Sequence, residues 1–126
     1  MKTPPLPSNW ELMPDRECKW SELLDLQVFG LATRYKDDDG NVIRGTIQFF
    51  HFPGLGIVRP CVIKHETGHS WGVKGCSKWY CLMYEGPADS LWEKTRAPLQ
   101  LLYGIDYCPD CQKIIKTNMA AAGLAV

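Results

Sequence analysis

Four cysteines in two short-spaced pairs constrain this chain more than any other feature. Cys76 and Cys81 are separated by four residues, Cys108 and Cys111 by two, and a long segment separates the pairs. Two such pairs are typical of a closed, tetrahedral zinc site with four thiolate ligands. We therefore predict a structural zinc that fixes the loop at Cys76 against the C-terminal segment. The alternative is a pair of disulfides, which would need an oxidising compartment.

The size of the chain shows why such a cross-link would matter. A chain of 126 residues fits one domain, and a domain this small buries only about two thirds of the surface that its unfolded form exposes. A zinc site adds folding free energy directly, because its ligands must gather around the ion. We expect the proline-rich residues 1–9 to form an extended arm that Trp10 anchors, and residues 10–126 to form a single domain.

Charge and hydropathy disfavour several classes of partner. Lys plus Arg and Asp plus Glu both number 14, so no net field favours nucleic acid or an anionic membrane. A zinc ribbon that binds nucleic acid is disfavoured for the same reason. The start, MKTPPLP, lacks the apolar core of a secretory signal, and the end, AAAGLAV, is too short to span a bilayer. We predict a cytoplasmic protein with neither partner, whose oligomeric state is unknown from sequence.

The first half of the chain has the pattern of an α+β fold. Segments 27–36 and 42–52 are rich in β-branched and aromatic residues and flank the sequence DDDGN. These features predict a β-hairpin with a tight turn. Apolar residues at near-helical spacing predict a short helix over residues 15–26. Further helices are predicted over residues 88–95 and 111–122.

A longer helix is predicted over residues 59–71. Pro60 suits its first turn, and Gly72 can adopt the left-handed conformation that ends helices. His65 and His69, four residues apart on this helix, lie one turn above each other, so both imidazoles can reach one metal ion.

The segment His65-Glu66-Thr67-Gly68-His69 has the form HExxH. In zinc hydrolases the metal polarises the substrate carbonyl and lowers the pKa of a bound water, and the glutamate accepts that water's proton. We predict a catalytic zinc held by His65 and His69, with Glu66 as the general base. The alternatives are a chance occurrence of the pattern on a solvated helix and histidines that form hydrogen bonds within the core.

The residues after His69 extend this motif. Gly72 follows three residues later, and Cys76, Cys81 and Met83 come next, with Cys108-Pro109-Asp110-Cys111 farther on. This arrangement resembles the archaemetzincin signature HExxHxxGxxHCxxxxCxM with a trailing CxxC. The resemblance covers about residues 57 to 116 and includes the stretch Arg96-Ala97-Pro98-Leu99, which is similar to the family's RPL.

The resemblance implies a zinc metallopeptidase with a small metzincin-like α+β domain, acting on peptide or protein substrates. It implies two zinc ions, one catalytic and one structural. The substrate would bind extended along an edge strand, for which residues 45–52 are our candidate. Carried over by position, the zinc ligands are His65 and His69 for the catalytic ion and Cys76, Cys81, Cys108 and Cys111 for the structural one, with Glu66 as general base and Met83 in the Met-turn.

The chain departs from the signature at Gly75, where the family has a third histidine ligand, and it has an apparent insertion over residues 100–106. Because catalytic zinc usually has three protein ligands and a water, we expect weaker binding with two. Among the substitutes, a ligand at Glu93 would match the gluzincin class. The alternative function is a non-catalytic, zinc-stabilised module that binds peptides or proteins. The candidates for a third ligand are His51, Cys61, Glu85, Asp89 and Glu93.

Overall fold

A computed structural model describes residues 1–22, 29–85 and 102–124. They form a small unit with a sheet and two helices, so the predicted combination of helix and strand is confirmed. The strands are β1 (Trp10–Leu12), β2 (Arg16–Glu17), β3 (Gly30–Lys36) and β4 (Val42–His51), and the helices are α1 (Arg59–Ser70) and α2 (Pro109–Ala121), with short 3₁₀ turns at Trp20–Glu22 and Gly56–Val58.

The strand β4 lies at the centre of the sheet. It pairs antiparallel with β3 on one side, and parallel with β1 and β2 on the other. The predicted hairpin is therefore confirmed, and its turn is closed by the carboxylate of Asp37, which accepts hydrogen bonds from the backbone N–H groups of Asp39 and Asn41. The prediction that residues 45–52 form an edge strand is wrong, because both sides of β4 are paired.

Trp10 is the first residue of β1 and packs against β4. The residue is 8% exposed, and its backbone is in register with that of Gly45. A Cβ atom at Gly45 would lie 2.1 Å from the indole ring, so only glycine lets the ring pack directly on the β4 backbone. Residues 1–9 contain no helix or strand, and the carbonyl of Pro5 accepts a hydrogen bond from Trp71 Nε1 at 2.8 Å.

The helix predicted over residues 15–26 is wrong for the part that the structure describes. Arg16–Glu17 is the strand β2, and the N–H of Cys18 donates to the carbonyl of His51 at 2.9 Å. Pairing with the end of β4 satisfies this backbone outside a helix, and Trp20 remains 51% exposed. Residues 23–28 lie outside the described part of the chain, as does the helix predicted over residues 88–95.

The predicted helix over residues 59–71 is confirmed as α1. It has Pro60 in its first turn and ends at Ser70, and Gly72, just beyond the C-cap Trp71, has a φ of +91°. The N–H of Val73 donates to the carbonyl of Gly68 at 3.1 Å, the hydrogen bond of a left-handed helix end. Asn118 of α2 caps the same end by donating to the carbonyl of Trp71 at 2.6 Å.

Hydrophobic residues at or near the two ends of helix α1 pack into two different clusters. Val58 and Val62 pack into the cluster on the sheet side, whereas Trp71 packs into the cluster formed with the C-terminal half. Helix α2 begins at Pro109, two residues before the predicted start, and buries Cys111, Ile115 and Met119 in that second cluster. Within the described residues, no helix combines the length and the apolar character that crossing a membrane requires.

Candidate metal centres

The four predicted cysteine ligands lie together and could hold a metal such as zinc. Their sulfur atoms lie within 4.8 Å of one another, with Cys76 Sγ 3.8 Å from Cys108 Sγ and Cys81 Sγ 3.7 Å from Cys111 Sγ. Tetrahedral ligands with Zn–S bonds of about 2.3 Å would have sulfurs about 3.8 Å apart. All six cysteines are free thiols, so the disulfide alternative is not observed. We call these four residues the four-cysteine cluster.

Burial and hydrogen bonding distribute charge unevenly in this cluster. Burial raises the pKa values of Cys81 and Cys111. Burial opposes ionisation of Cys108 as well, but hydrogen bonds from the Cys111 N–H and from neighbouring thiols outweigh it and lower the pKa of Cys108 to about 7. One thiolate can therefore form near neutral pH, whereas full ionisation of the cluster needs a cation that replaces the remaining protons.

The cluster fixes a loop that returns toward α1. The N–H of Cys76 donates to the carbonyl of Met83 at 3.0 Å, and the N–H of Glu85 donates to the carbonyl of Cys76 at 3.2 Å. Cys108 and Cys111 lie at the start of α2, as the N-cap and in the first turn. The predicted attachment of the Cys76 loop to the C-terminal segment is therefore present.

The two motif histidines face each other on α1. Their Nε2 atoms are 3.1 Å apart, and the ring planes are 84° apart. His65 Nδ1 bonds to the carbonyl of Leu82 at 2.8 Å and His69 Nδ1 to that of Val73 at 2.7 Å. Because a carbonyl oxygen only accepts, Nδ1 carries the proton in each ring, which leaves Nε2 as the donor atom for a metal. Tetrahedral ligands with Zn–N bonds of about 2.0–2.1 Å would be about 3.3 Å apart.

Among the candidate third ligands, Glu85 lies next to the two histidines. Its Oε1 atom lies 3.3 Å from His69 Nε2, and donor atoms of His65, His69 and Glu85 all lie within 4.8 Å of one another. We call these three residues the histidine site. A Cβ atom at Gly75 would lie 3.0 Å from the Glu85 carboxylate, so the carboxylate occupies space that a side chain at Gly75 would need.

Two of the other candidate third ligands, His51 and Cys61, are not in this group. His51 Nδ1 pairs with Glu17 Oε2 at 2.7 Å. Cys61, half-buried on α1, belongs to neither metal group found among the described residues, and burial raises its thiol pKa. Asp89 and Glu93 lie outside the described residues.

Glu66 lies beside the histidines in a cleft between α1 and β3. Its side chain is 9% exposed, and with His65 and His69 it lines a cleft of about 690 Å³. The opposite wall is formed by the β3 residues Gly30, Leu31, Ala32, Arg34 and Lys36. A nearly buried carboxylate at such a wall can exchange protons with a bound molecule without being surrounded by bulk water.

Met83 packs against α1 and belongs to the hydrophobic cluster that α1 shares with α2 through Trp71. It is fully buried, and a Cβ atom at Gly68 would lie 2.5 Å from its sulfur. The glycine inside the HETGH segment therefore lets the methionine approach the helix backbone next to His69. The sequence pointed to Met83 through the family signature, but it gave no signal for the carbonyls of Leu82 and Val73, since backbone groups leave no trace in the residue types.

Comparisons with known proteins found no match to this chain, whether with protein-family models, curated proteins or solved structures. The resemblance to archaemetzincins therefore depends on the motif residues alone.

Proposed function

We propose that this chain is a zinc-dependent metallopeptidase of the archaemetzincin type. The observation that carries the proposal is the pair of Nε2 atoms of His65 and His69, 3.1 Å apart, with Glu66 between them in sequence and in the same cleft. The Nδ1 hydrogen bonds hold both rings in the orientation that a shared ion requires.

The residues of the cleft divide the chemistry between them. Zinc bound by the histidines would supply Lewis-acid polarisation of a carbonyl and a water of lowered pKa. Glu66 would accept the proton of the attacking water and then donate it to the leaving amine. Arg34 Nη2 donates to the carbonyl of His69 at 2.8 Å, which ties the wall of the cleft to the end of the motif helix.

The substrate would lie along β3 rather than along β4. The N–H of Gly45 and the carbonyl of Ile47 bond toward the β1 side of the sheet. Their partners on β3, Arg34 and Ala32, must therefore direct their own N–H and carbonyl groups away from β4, and both residues line the cleft. No strand within the described residues pairs with this edge of β3, so an extended peptide could add a strand there.

A non-catalytic peptide-binding module is the second candidate, and Gly75 is the observation that favours it. A site that lacks the third histidine could keep the cleft and the edge of β3 while losing hydrolysis. The two functions differ in what happens to a peptide bound on β3, since only the enzyme cleaves it.

Cleavage of peptides by the purified, zinc-loaded chain and its Glu66→Gln variant tests the proposal. New termini in a mixture of unstructured peptides would be counted by mass spectrometry. The wild type should generate them, and Glu66→Gln should reduce the rate by about a hundredfold or more without changing the zinc content. Peptide binding without cleavage by zinc-loaded wild type would favour the binding module. Equal rates for both proteins would contradict the role of Glu66.

A further inference from the structure

The geometry points to Glu85 as the third protein ligand of the catalytic metal, from a position in the chain different from the one the family signature uses. This inference rests on the proposed function, since it concerns the same ion. Glu85 Oε1 lies 3.3 Å from His69 Nε2, and the three donor atoms lie within 4.8 Å of one another. Two imidazoles and one carboxylate are an ordinary ligand set for catalytic zinc.

Gly75 and Glu85 are spatially complementary. A Cβ atom at Gly75 would lie 3.0 Å from both Cδ and Oε2 of Glu85, which is closer than most neighbours tolerate. A side chain at this position would therefore require the carboxylate to shift by a few tenths of an ångström or more. Gly75, which has no side chain to bind a metal, therefore leaves the space that the carboxylate of Glu85 occupies.

The backbone explains why Glu85 reaches this position. Gly75 precedes Cys76, and the backbone of Cys76 forms hydrogen bonds with Met83 at 3.0 Å and with Glu85 at 3.2 Å. The pairing places the two chain segments side by side. Cys76 and Cys81 lie in the four-cysteine cluster, so a metal in that cluster would also hold Glu85 near the histidines.

The contact between Glu85 and His69 differs from an ordinary ion pair because a third potential ligand, His65, lies beside it. Glu17 makes a comparable contact with His51 Nδ1 at 2.7 Å, but within the described residues no third ligand joins that pair. At the histidine site, His69 already donates through Nδ1 to a carbonyl, and its Nε2 faces both another Nε2 and a carboxylate oxygen. Three electron-pair donors that converge in this way favour a shared cation.

The first test is zinc affinity in the Glu85→Gln variant. Gln keeps the shape of the side chain but removes its negative charge. Protein with its four-cysteine cluster already filled would be titrated with zinc against a competing chelator. We expect Glu85→Gln to weaken the second zinc by about a hundredfold or more, beyond the 10–100-fold typical of residues that only support a ligand. Glu17→Gln is the matched control and should leave this affinity unchanged.

A double-variant cycle tests the complementarity with Gly75. Gly75→His in the wild-type background should change the affinity less than about tenfold, because the new ring competes with an existing ligand. In a Glu85→Ala background the same substitution should recover about tenfold or more of the lost affinity, since the ring then enters an empty ligand position. The absorption spectrum of the cobalt-loaded proteins should change in parallel with the affinity, because it reports the ligand set.

The outcomes separate this inference from the proposed function. Unchanged zinc affinity in Glu85→Gln would overturn the inference, as would an equal gain from Gly75→His in both backgrounds, and the contact would then be an ion pair only. Peptide cleavage that still depends on Glu66 would leave the proposed function standing in that case. A wild-type protein that binds zinc in the four-cysteine cluster alone would overturn both.

Discussion

At the histidine site, backbone groups determine the orientation of the side chains. His69 is oriented by the carbonyl of Val73, and that carbonyl is placed by the left-handed turn at Gly72. The sequence pattern identified Gly72 and both histidines, because helix ends and four-residue spacing are properties of residue type. It could not single out Glu85 among five candidates, since the pairing of Cys76 with Tyr84 depends on tertiary structure.

Gly72→Ala should both destabilise the protein and weaken its second zinc. An alanine with positive φ costs about 1–2 kcal/mol, and its Cβ would lie 2.9 Å from the side-chain nitrogen of Asn118. Strain here would move the carbonyl that orients His69. Denaturant unfolding and zinc titration would measure the two effects.

Gly54→Ala is the control for that substitution. Gly54 also has a positive φ of +83°, and no atom lies within 4 Å of its would-be Cβ. It should therefore lose about 1–2 kcal/mol through the same backbone strain and keep its zinc affinity. Equal zinc affinity in the two variants would show that the turn at Gly72 does not orient His69.

Among the elements, α1 and β3 together form the cleft. Helix α1 was predictable because Pro60 and Gly72 mark its bounds locally. The hairpin was predictable because segments rich in β-branched and aromatic residues flank the turn sequence DDDGN. The short strand β2 was not, since it exists only through its pairing with Phe50 and His51 at the end of β4, while its own sequence has helical spacing. For the same reason the sequence could not tell which strand of the hairpin lies at the edge.

Ala32→Pro should lower kcat/KM for peptides by about tenfold or more while leaving the zinc content unchanged. The Ala32 N–H is directed away from β4, so proline removes no hydrogen bond of the sheet but removes one donor from the edge that the peptide would use. Initial-rate kinetics on a cleaved peptide would measure the change.

Ala32→Gly retains the N–H and is the matched control, with kcat/KM expected close to that of the wild type. A proline variant as active as this control would indicate that the substrate does not pair with β3.

At the scale of the described molecule, one loop connects the two metal groups, since it carries Cys76 and Cys81 of the four-cysteine cluster and Glu85 of the histidine site. Leu82, which accepts the hydrogen bond of His65, follows Cys81 directly, and both are fully buried. The cysteine spacing predicted the first group without reference to the fold. The connection between the four-cysteine cluster and the histidine site could not be predicted, because it depends on backbone carbonyls and on the path of a loop that returns to α1.

Cys111→Ser should affect both metal groups. It removes one thiolate from the four-cysteine cluster, so we expect loss of that zinc and a lower Tm. Because the same loop carries Leu82 and Glu85, the remaining zinc at the histidine site should bind about tenfold more weakly or worse. Zinc analysis, thermal unfolding and chelator competition would measure these changes.

Cys61→Ser is the matched control, since Cys61 belongs to neither metal group. It should retain two zinc ions and the wild-type affinity at the histidine site. If Cys111→Ser retained that affinity as well, the two groups would be independent.

Anomalous scattering at the zinc absorption edge, from crystals of the zinc-loaded chain, tests the central claim most directly. We predict two peaks, one within the four thiolates and one bonded to the Nε2 atoms of His65 and His69 at about 2.0–2.1 Å. A single peak in the four-cysteine cluster, with no ion between the imidazoles, would contradict the assignment of this chain as a zinc peptidase.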